Sequence, residues 1–204
     1  MLASLIAGSR LKLSEGPWPH PLVSEAEFAL IGDVAPRERR RYAAYQNAGA
    51  RRDYLGTRAL VRTALAHSTG LPPERLRFGA DPLRRPELIE PSVAGLSISL
   101  ANTTRLAVGL FALDRDVGVD VELVAPIEAV ELAARFFSPR EAAEISALAE
   151  DALLTRFYEL WTLKEAFAKA LRLHLADALR QCCFIDVTGQ RRAELPTTQQ
   201  WKAM

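Results

Sequence analysis

The chain has 204 residues and carries 26 Lys and Arg against 25 Asp and Glu, a formal net charge of +1. This balance gives no electrostatic reason to expect binding to nucleic acid or to a membrane surface. No apolar run reaches the ~18 residues of a membrane-spanning helix, and the apolar start lacks the basic region of a signal peptide. An apolar content of 49% argues against a disordered chain, so one compact domain or two packed halves is expected.

The first third of the chain predicts one strand followed by two helices. Residues 2–13 are mainly apolar and favour a strand. Apolar residues then recur with the period of a helix over 35–45 and 51–70. Pro36 lies in the opening turn of the first helix, and Gly70 is placed to end the second.

The middle of the chain changes period. Short apolar runs rich in β-branched residues occur at 95–100, 105–113 and 117–123, separated by polar residues. Such runs are typical of strands. We expect the last two of these strands to pair with each other.

Helices return in the last third of the chain, over 126–137, 138–148 and 151–173. Ser138 and Glu141 form the pattern of a capping box at the start of the second of these helices. A strand at 181–187 and a turn with a further short strand follow. The two halves of the chain share a rough order of strand, helices and strands. This order predicts a pseudo-duplicated α+β fold.

Asp120 and Glu122 form the first constellation that can carry chemistry. Residues two apart on a strand point to the same face, so the two carboxylates project together from an apolar run. Like charges this close repel unless a cation lies between them or one stays protonated. Carboxylate oxygens suit Mg²⁺. The alternative is a polar stripe that faces solvent.

The second constellation lies in the helix at 151–173. Trp161, Glu165 and Lys169 are spaced four residues apart, which places them on one helix face. Lys164 flanks the acid–base pair of Glu165 and Lys169. The alternative is an exposed ion pair beside aromatic residues that pack in the core.

The third constellation is basic. Arginines recur through the two early helices and before Pro86, at Arg37, Arg39, Arg40, Arg41, Arg51, Arg52, Arg58, Arg62, Arg84 and Arg85. A charge run of this kind is either a solvated face or a cradle for phosphate, for which Arg is well suited.

Taken together, these segments resemble the Sfp-type 4′-phosphopantetheinyl transferases. Residues 118–122 look like the family's G-[IV]-D-[IV]-E, 135–141 like R-F-F-[ST]-x-x-E, and 161–169 like W-[ST]-x-K-E-[AS]-x-x-K. Upstream, 54–62 resembles its helix with a basic end and 78–86 its stretch ending in G-K-P. The resemblance covers residues 35–195, nearly the whole chain.

The resemblance implies an α+β fold of two similar halves with the active site at their interface. The first half, 1–113, would grip the nucleotide part of coenzyme A. The second half, 114–204, would carry the metal and the catalytic residues. The implied reaction moves 4′-phosphopantetheine from coenzyme A to a serine of an acyl or peptidyl carrier protein, with Mg²⁺ as cofactor and 3′,5′-ADP as second product. The implied setting is a cytoplasmic monomer of polyketide or nonribosomal peptide synthesis that binds neither nucleic acid nor membrane.

The resemblance also assigns roles to single residues. Asp120, Glu122 and Glu165 match the metal ligands, and Asp120 and Glu165 also count as catalytic. Glu165 matches the general base, and Lys169 is the catalytic cation that binds phosphate and stabilises the leaving group. Coenzyme A is expected to contact Arg41, Arg85, Asn102, Thr103, Lys164 and Lys169.

The sequence departs from the family pattern in three places. Asn102 aligns with a family His that contacts the 3′-phosphate of coenzyme A, although a rival alignment puts Leu100 there. Arg84 and Arg85 replace Gly-Lys in G-K-P, and the chain stops at Met204 where the family continues to a last strand. A second hypothesis is therefore a weakened homologue that binds coenzyme A or a carrier without turnover. We expect the carrier protein to dock around Phe136 and Phe137.

Overall fold

The computed structural model describes residues 2–6, 36–80, 85–104, 106–187 and 190–194. The first half contains β1 (Leu2–Ile6), α1 (Pro36–Ala44), α2 (Ala48–Thr69), a 3₁₀ turn (Pro73–Arg75), β2 (Arg77–Ala80), β3 (Pro86–Glu90), β4 (Leu96–Thr103) and β5 (Leu106–Leu113). The second half contains β6 (Gly118–Glu122), α3 (Ala129–Phe136), α4 (Pro139–Ser146), α5 (Glu150–Leu171), α6 (Leu175–Gln181), β7 (Cys183–Val187) and β8 (Gln190–Glu194).

The described strands form four antiparallel pairs: β1 with β6, β2 with β3, β4 with β5, and β7 with β8. The expectation that the strands at 105–113 and 117–123 pair with each other is wrong. β5 pairs with β4 along its whole length, and β6 pairs with β1, so that Ser4 lies opposite Asp120. The sequence pattern favoured the nearer strand because a tight local connection is the common way to join antiparallel strands.

The two early helices form where they are predicted. The Asn47 side chain caps α2 by accepting hydrogen bonds from the backbone N–H groups of Gly49 and Ala50. The helix ends at Gly70, whose φ of 69° lies in the left-handed region that glycine adopts without strain. Buried residues of α2, such as Val61 and Leu65, pack with Leu76 and Ile98 in the core of the first half.

A buried ion pair joins α1 to α2. The Glu38 carboxylate accepts hydrogen bonds from Arg62 at 2.6 Å and from Arg58 at 3.3 Å. Arg62 also donates to the carbonyl oxygens of Pro73 and Leu76. Arg62 is therefore part of the core, and neither interpretation of the basic constellation applies to it.

The core of the second half lies among α3, α4, α5 and α6. Phe137 stacks on Phe157 with 5.1 Å between ring centroids, and Trp161 packs against both rings. The capping box predicted at the start of α4 is confirmed, because Ser138 and Glu141 bond reciprocally. These contacts fix α4 and the neighbouring turn against α5.

Strand β6 lies directly against α5. A Cβ atom at Gly118 would overlap the carbonyl oxygen of Ala166 and crowd the backbone nitrogen of Ala170. Only glycine therefore allows this approach of strand and helix. The close contact brings the end of β6 next to the face of α5 that carries the charged residues.

The fold class is α+β, as predicted, with helices and antiparallel strand pairs in separate stretches of the chain. Within the described residues, no helix is long and apolar enough to cross a membrane. The duplication of the two halves, and a boundary between residues 113 and 114, stay predictions.

Candidate active site

A cavity of about 550 Å³ opens between the first half of the chain and α5. Its volume lies in the ordinary range of small-molecule sites. Its charged and amide-bearing lining includes Arg41, Arg58, Arg85, Asn102, Glu165 and Lys169. Residues 41–102 and residues 165–175 thus supply the two sides of one cavity.

Lys169 is the central cation of the cavity. Its Nζ donates to Oδ1 of Asp120 at 2.7 Å and to the carbonyl oxygen of Val119 at 3.0 Å. Its distance to Oε2 of Glu165, one turn earlier on α5, is 3.7 Å. The structure therefore brings together the two constellations predicted from β6 and α5.

The three carboxylates near Lys169 crowd each other. Burial, together with the charge of Asp120, raises the pKa of Glu165 to about 7, although Lys169 acts in the opposite direction. Burial and the charge of Asp120 also raise the pKa of Glu122. The site thus carries more negative charge than its single lysine neutralises.

The donor set suits a hard divalent cation. Oδ2 of Asp120 is buried and has no hydrogen-bond partner among the described residues, which leaves a carboxylate oxygen available as a ligand. In the part of the chain that the structure describes, no group of three acidic, His or Cys side chains is arranged to hold a metal ion by itself. The metal site predicted at Asp120, Glu122 and Glu165 stays a prediction.

Arginines line the other side of the cavity. Arg41, from α1, and Arg58, from α2, both lie over the Tyr54 ring, at 5.9 and 5.3 Å from its centroid. Arg85, which precedes β3, donates from Nη1 to the carbonyl oxygen of Lys169 at 2.8 Å. Arg41 and Arg85 both line the cavity, and their contact with coenzyme A stays a prediction. Arg84 lies outside the described residues.

Asn102 and Leu100 both line the cavity from β4. Whichever of the two residues aligns with the family His, it lies on the same wall of the cavity. Asn102 offers a hydrogen bond but no charge. The described lining does contain an imidazole at a different place, that of His174, directly before α6.

Two predicted coenzyme A contacts are not supported. Lys164 is completely buried, and its ammonium is bound to Glu141 and to the carbonyl oxygens of Leu179 and Cys182. Lys164 is not among the cavity-lining residues, because successive side chains of a helix point about 100° apart and Glu165 is the one that borders the cavity. Thr103 is not among the cavity-lining residues, since β4 ends there.

The predicted carrier surface needs a correction too. Phe137 is only 4% exposed and packs in the aromatic cluster with Phe157 and Trp161. It is a core residue and is not available to a partner helix. The pattern R-F-F-S was interpreted as a surface because the sequence does not reveal which aromatic side chain turns inward.

Some lining residues were not singled out as site residues from the sequence. Arg58 was one of many arginines in the basic constellation, and Tyr45 and His174 belonged to no motif. A usable signal was the i, i+4 spacing of Tyr54 and Arg58 on α2, which places both on one face. The position of that face relative to α5 is a tertiary property.

Known proteins similar to this chain point to one family. Residues 116–203 match the family model of the 4′-phosphopantetheinyl transferase superfamily. A 4′-phosphopantetheinyl transferase of Bacillus subtilis is 31% identical over 153 residues, which cover 73% of this chain and 65% of the relative. Sfp of Bacillus subtilis is 29% identical over 152 residues, which cover 73% of this chain and 65% of Sfp. HetI of Nostoc is 28% identical over 158 residues, which cover 76% of this chain and 65% of HetI.

The chain spans less than two thirds of the length of these relatives. The match to the Bacillus subtilis relative nevertheless covers more than two thirds of this chain. The family model covers β6, with Asp120 and Glu122, and α5, with Glu165 and Lys169. The chain belongs to the 4′-phosphopantetheinyl transferase superfamily, and its relatives include Sfp.

Proposed function

We propose that the protein transfers 4′-phosphopantetheine from coenzyme A to a serine of an acyl or peptidyl carrier protein and releases 3′,5′-ADP. The observation that carries this proposal is one cavity with arginines on one side and the Asp120, Glu165 and Lys169 cluster on the other. Arginines suit the phosphates of a nucleotide. The acid–base cluster suits attack on a pyrophosphate.

Glu165 is the general base of the proposed mechanism. It borders the cavity beside Lys169, where it accepts the proton of the serine hydroxyl as the serine oxygen attacks the β-phosphorus of coenzyme A. The bond from this phosphorus to the bridging oxygen of the pyrophosphate breaks. The leaving 3′,5′-ADP carries the negative charge, which the Lys169 ammonium stabilises.

Asp120 and Glu122 complete the charge balance of the site. Asp120 holds Lys169 in place through the 2.7 Å contact and, with Glu122 and Glu165, offers oxygen ligands for Mg²⁺. These residues would hold Mg²⁺, which would supply positive charge to phosphate oxygens when bound. Arg41, Arg58 and Arg85 bind the nucleotide part of coenzyme A, so the first half grips the substrate and the second half carries catalysis.

The remaining parts of the proposal follow the family. Mg²⁺ is the cation, and the protein acts in the cytoplasm as a monomer, without nucleic acid or membrane. The proposed carrier belongs to polyketide or nonribosomal peptide synthesis. The names of the relatives do not state a pathway.

A weakened homologue is the second candidate function. Asn102 favours it, because an uncharged amide in the cavity replaces the cationic contact that the family pattern places there. Such a protein would bind coenzyme A without efficient transfer. The presence of Glu165 and Lys169 in contact with the cavity favours the active enzyme.

The test is the intact mass of an apo carrier protein after incubation with this protein, coenzyme A and Mg²⁺. The expected result is a gain of about 340 Da, the mass of the transferred arm, that disappears with a chelator. Glu165→Gln is the negative control. Coenzyme A binding without a mass gain on several unrelated carriers would establish the weakened homologue instead.

A further inference from the structure

The ammonium of Lys164 is held by a closed set of hydrogen bonds. It has three protons, and they meet Oε2 of Glu141 at 2.8 Å, the carbonyl oxygen of Leu179 at 2.8 Å, and the carbonyl oxygen of Cys182. Both charged side chains are at most 1% exposed. Lys164 therefore has no proton left for a ligand.

The Glu141 carboxylate is equally satisfied. Oε1 accepts from the backbone N–H of Phe184 at 2.9 Å. Oε2 accepts from the hydroxyl and the backbone N–H of Ser138, at 2.6 and 3.1 Å, and from Lys164. These four donors match the roughly four acceptor positions of a carboxylate. The pair thus joins α4, α5, the end of α6 and the start of β7.

The other end of α6 forms a wall of the cavity. Leu173, His174 and Leu175, at the start of that helix, line the cavity on the side of α5. Lys164 binds two carbonyl oxygens at the far end of this seven-residue helix, where a cation is also favoured by the helix dipole. A short helix moves as a rigid unit, so its anchored end determines where its cavity end lies.

The catalytic groups have a separate anchor. Lys169 is held by Asp120 and the Val119 carbonyl oxygen, and α5 is held against β6 by the close approach at Gly118. None of these contacts involves Lys164. Loss of the Lys164 contacts should therefore move the α6 wall and leave the reacting groups in place.

We propose that Lys164, together with Glu141, is a positioning residue that sets the affinity for coenzyme A by fixing the α6 wall of the cavity, without touching the ligand. This inference rests on the proposed function for the identity of the ligand. It differs from a purely structural role in a measurable way. A structural defect lowers the amount of active protein, whereas a displaced wall raises Kd and KM for coenzyme A and leaves kcat per folded molecule unchanged.

The experiment compares Lys164→Met with Arg156→Met. Arg156, about two helical turns earlier, is a matched control because it also joins α4 to α5, through Glu144 at 2.6 Å, and its other ion-pair partner, Glu159, lies on α5 itself. Coenzyme A binding is measured by calorimetry on folded protein without carrier. Carrier modification then gives KM and kcat for each variant.

We expect Lys164→Met to weaken coenzyme A binding roughly tenfold, on the scale of small displacements in a binding site, with kcat per folded molecule within about twofold. Arg156→Met should leave both values unchanged. A folded Lys164→Met protein with the wild-type Kd, or an equal loss in Arg156→Met, would overturn the proposal.

The double variant Glu141→Gln, Lys164→Met guards against a failure to fold. It removes both buried charges, which proteins tolerate better than one unpaired charge, but it still lacks the tie to α6. The same loss of affinity is expected, and a wild-type Kd in this variant would refute the positioning role. Binding of coenzyme A to the wild type without transfer would refute the proposed function alone, and absence of binding would refute both.

Discussion

Lys164 and Lys169 lie five residues apart on the same helix, and their surroundings are opposite. Lys164 is completely buried, and every proton of its ammonium has an acceptor. Lys169 is 25% exposed and shares its charge between Asp120 and Glu165 at the edge of a cavity. We call the first arrangement the closed cluster and the second the open cluster.

One helix thus carries a lysine that stabilises the fold and a second lysine that borders the candidate active site. In the closed cluster the polar groups are fully used within the protein, which gives a defined geometry and leaves nothing for a ligand. In the open cluster Oδ2 of Asp120 has no hydrogen-bond partner within the described part of the chain, and burial together with the charge of Asp120 raises the pKa of Glu165 to about 7. Perturbed carboxyl groups beside a cavity are typical of functional sites.

The largest expected effect comes from the open cluster. Glu165→Gln should lower transfer by about 10²–10⁴-fold, because the variant lacks the general base. Carrier modification measured by mass spectrometry checks this. Glu150→Gln, an exposed position at the start of the same helix, is the control and should keep full activity. Normal activity in Glu165→Gln would remove the proposed base.

The same variant should gain stability at high pH. The folded Glu165 carboxyl, with its pKa of about 7, holds its proton more tightly than the unfolded group at 4.5. Its favourable contribution is therefore complete below pH 4.5 and is lost as the pH rises to about 7. We expect Glu165→Gln to have a higher Tm than the wild type at pH 8, in the presence of a chelator, and the same Tm at pH 4.

Substitution in the closed cluster should lower stability, in contrast to the gain expected for Glu165→Gln. Lys164→Met leaves the buried Glu141 carboxylate unpaired and should cost about 3–5 kcal/mol in the free energy of unfolding. Arg156→Met removes two ion pairs, whose carboxylates Glu144 and Glu159 are 42% and 26% exposed, and should cost less, about 0.2–1 kcal/mol per pair. Urea unfolding of both variants measures this. Equal losses would mean that the closed cluster is no stronger than a surface pair.

Gly118→Ala should affect stability and activity together. The added Cβ overlaps the Ala166 carbonyl oxygen, so β6 must move away from α5, at a cost of about 1–3 kcal/mol. This movement also separates Asp120 from Lys169 and should lower kcat. Thermal unfolding and transfer assays measure the two effects.

Gly56→Ala is the matched control for that substitution. A Cβ at Gly56 meets no atom within 4 Å, and alanine in a helix interior is better than glycine by about 0.5–1 kcal/mol. We expect Gly56→Ala to be slightly more stable than the wild type. The close-approach explanation fails if the two alanine variants behave alike.

What the sequence revealed depended on the range of each interaction. The capping box of Ser138 and Glu141 and the helix end at Gly70 were predicted because they involve neighbouring residues. The position of Glu165 and Lys169 on one face of the helix followed from helix geometry. The pairing of β6 with β1 and the burial of Lys164 were not predicted, because they depend on distant residues that meet only in the fold.

The candidate site shows the same limit. Two adjacent residues of one motif, Lys164 and Glu165, turned out to face different environments. The motif as a whole indicated the family, but its residues could not be sorted into cavity and core from the sequence. Arg62 and Arg58 repeat this on α2, since one is buried and the other lines the cavity.

The smallest expected effect lies at the end of the helix that carries both clusters. Arg172 ends α5 with a φ of 59°, a left-handed conformation that costs non-glycine residues about 1–2 kcal/mol. Its ion pair with Asp116 spans 3.9 Å between largely exposed side chains and contributes little. Arg172→Gly should therefore raise the Tm by about 2–4 °C, whereas Arg172→Ala should not, since alanine keeps the strain. Equal Tm values for the two variants would show that the backbone at this helix end is not strained.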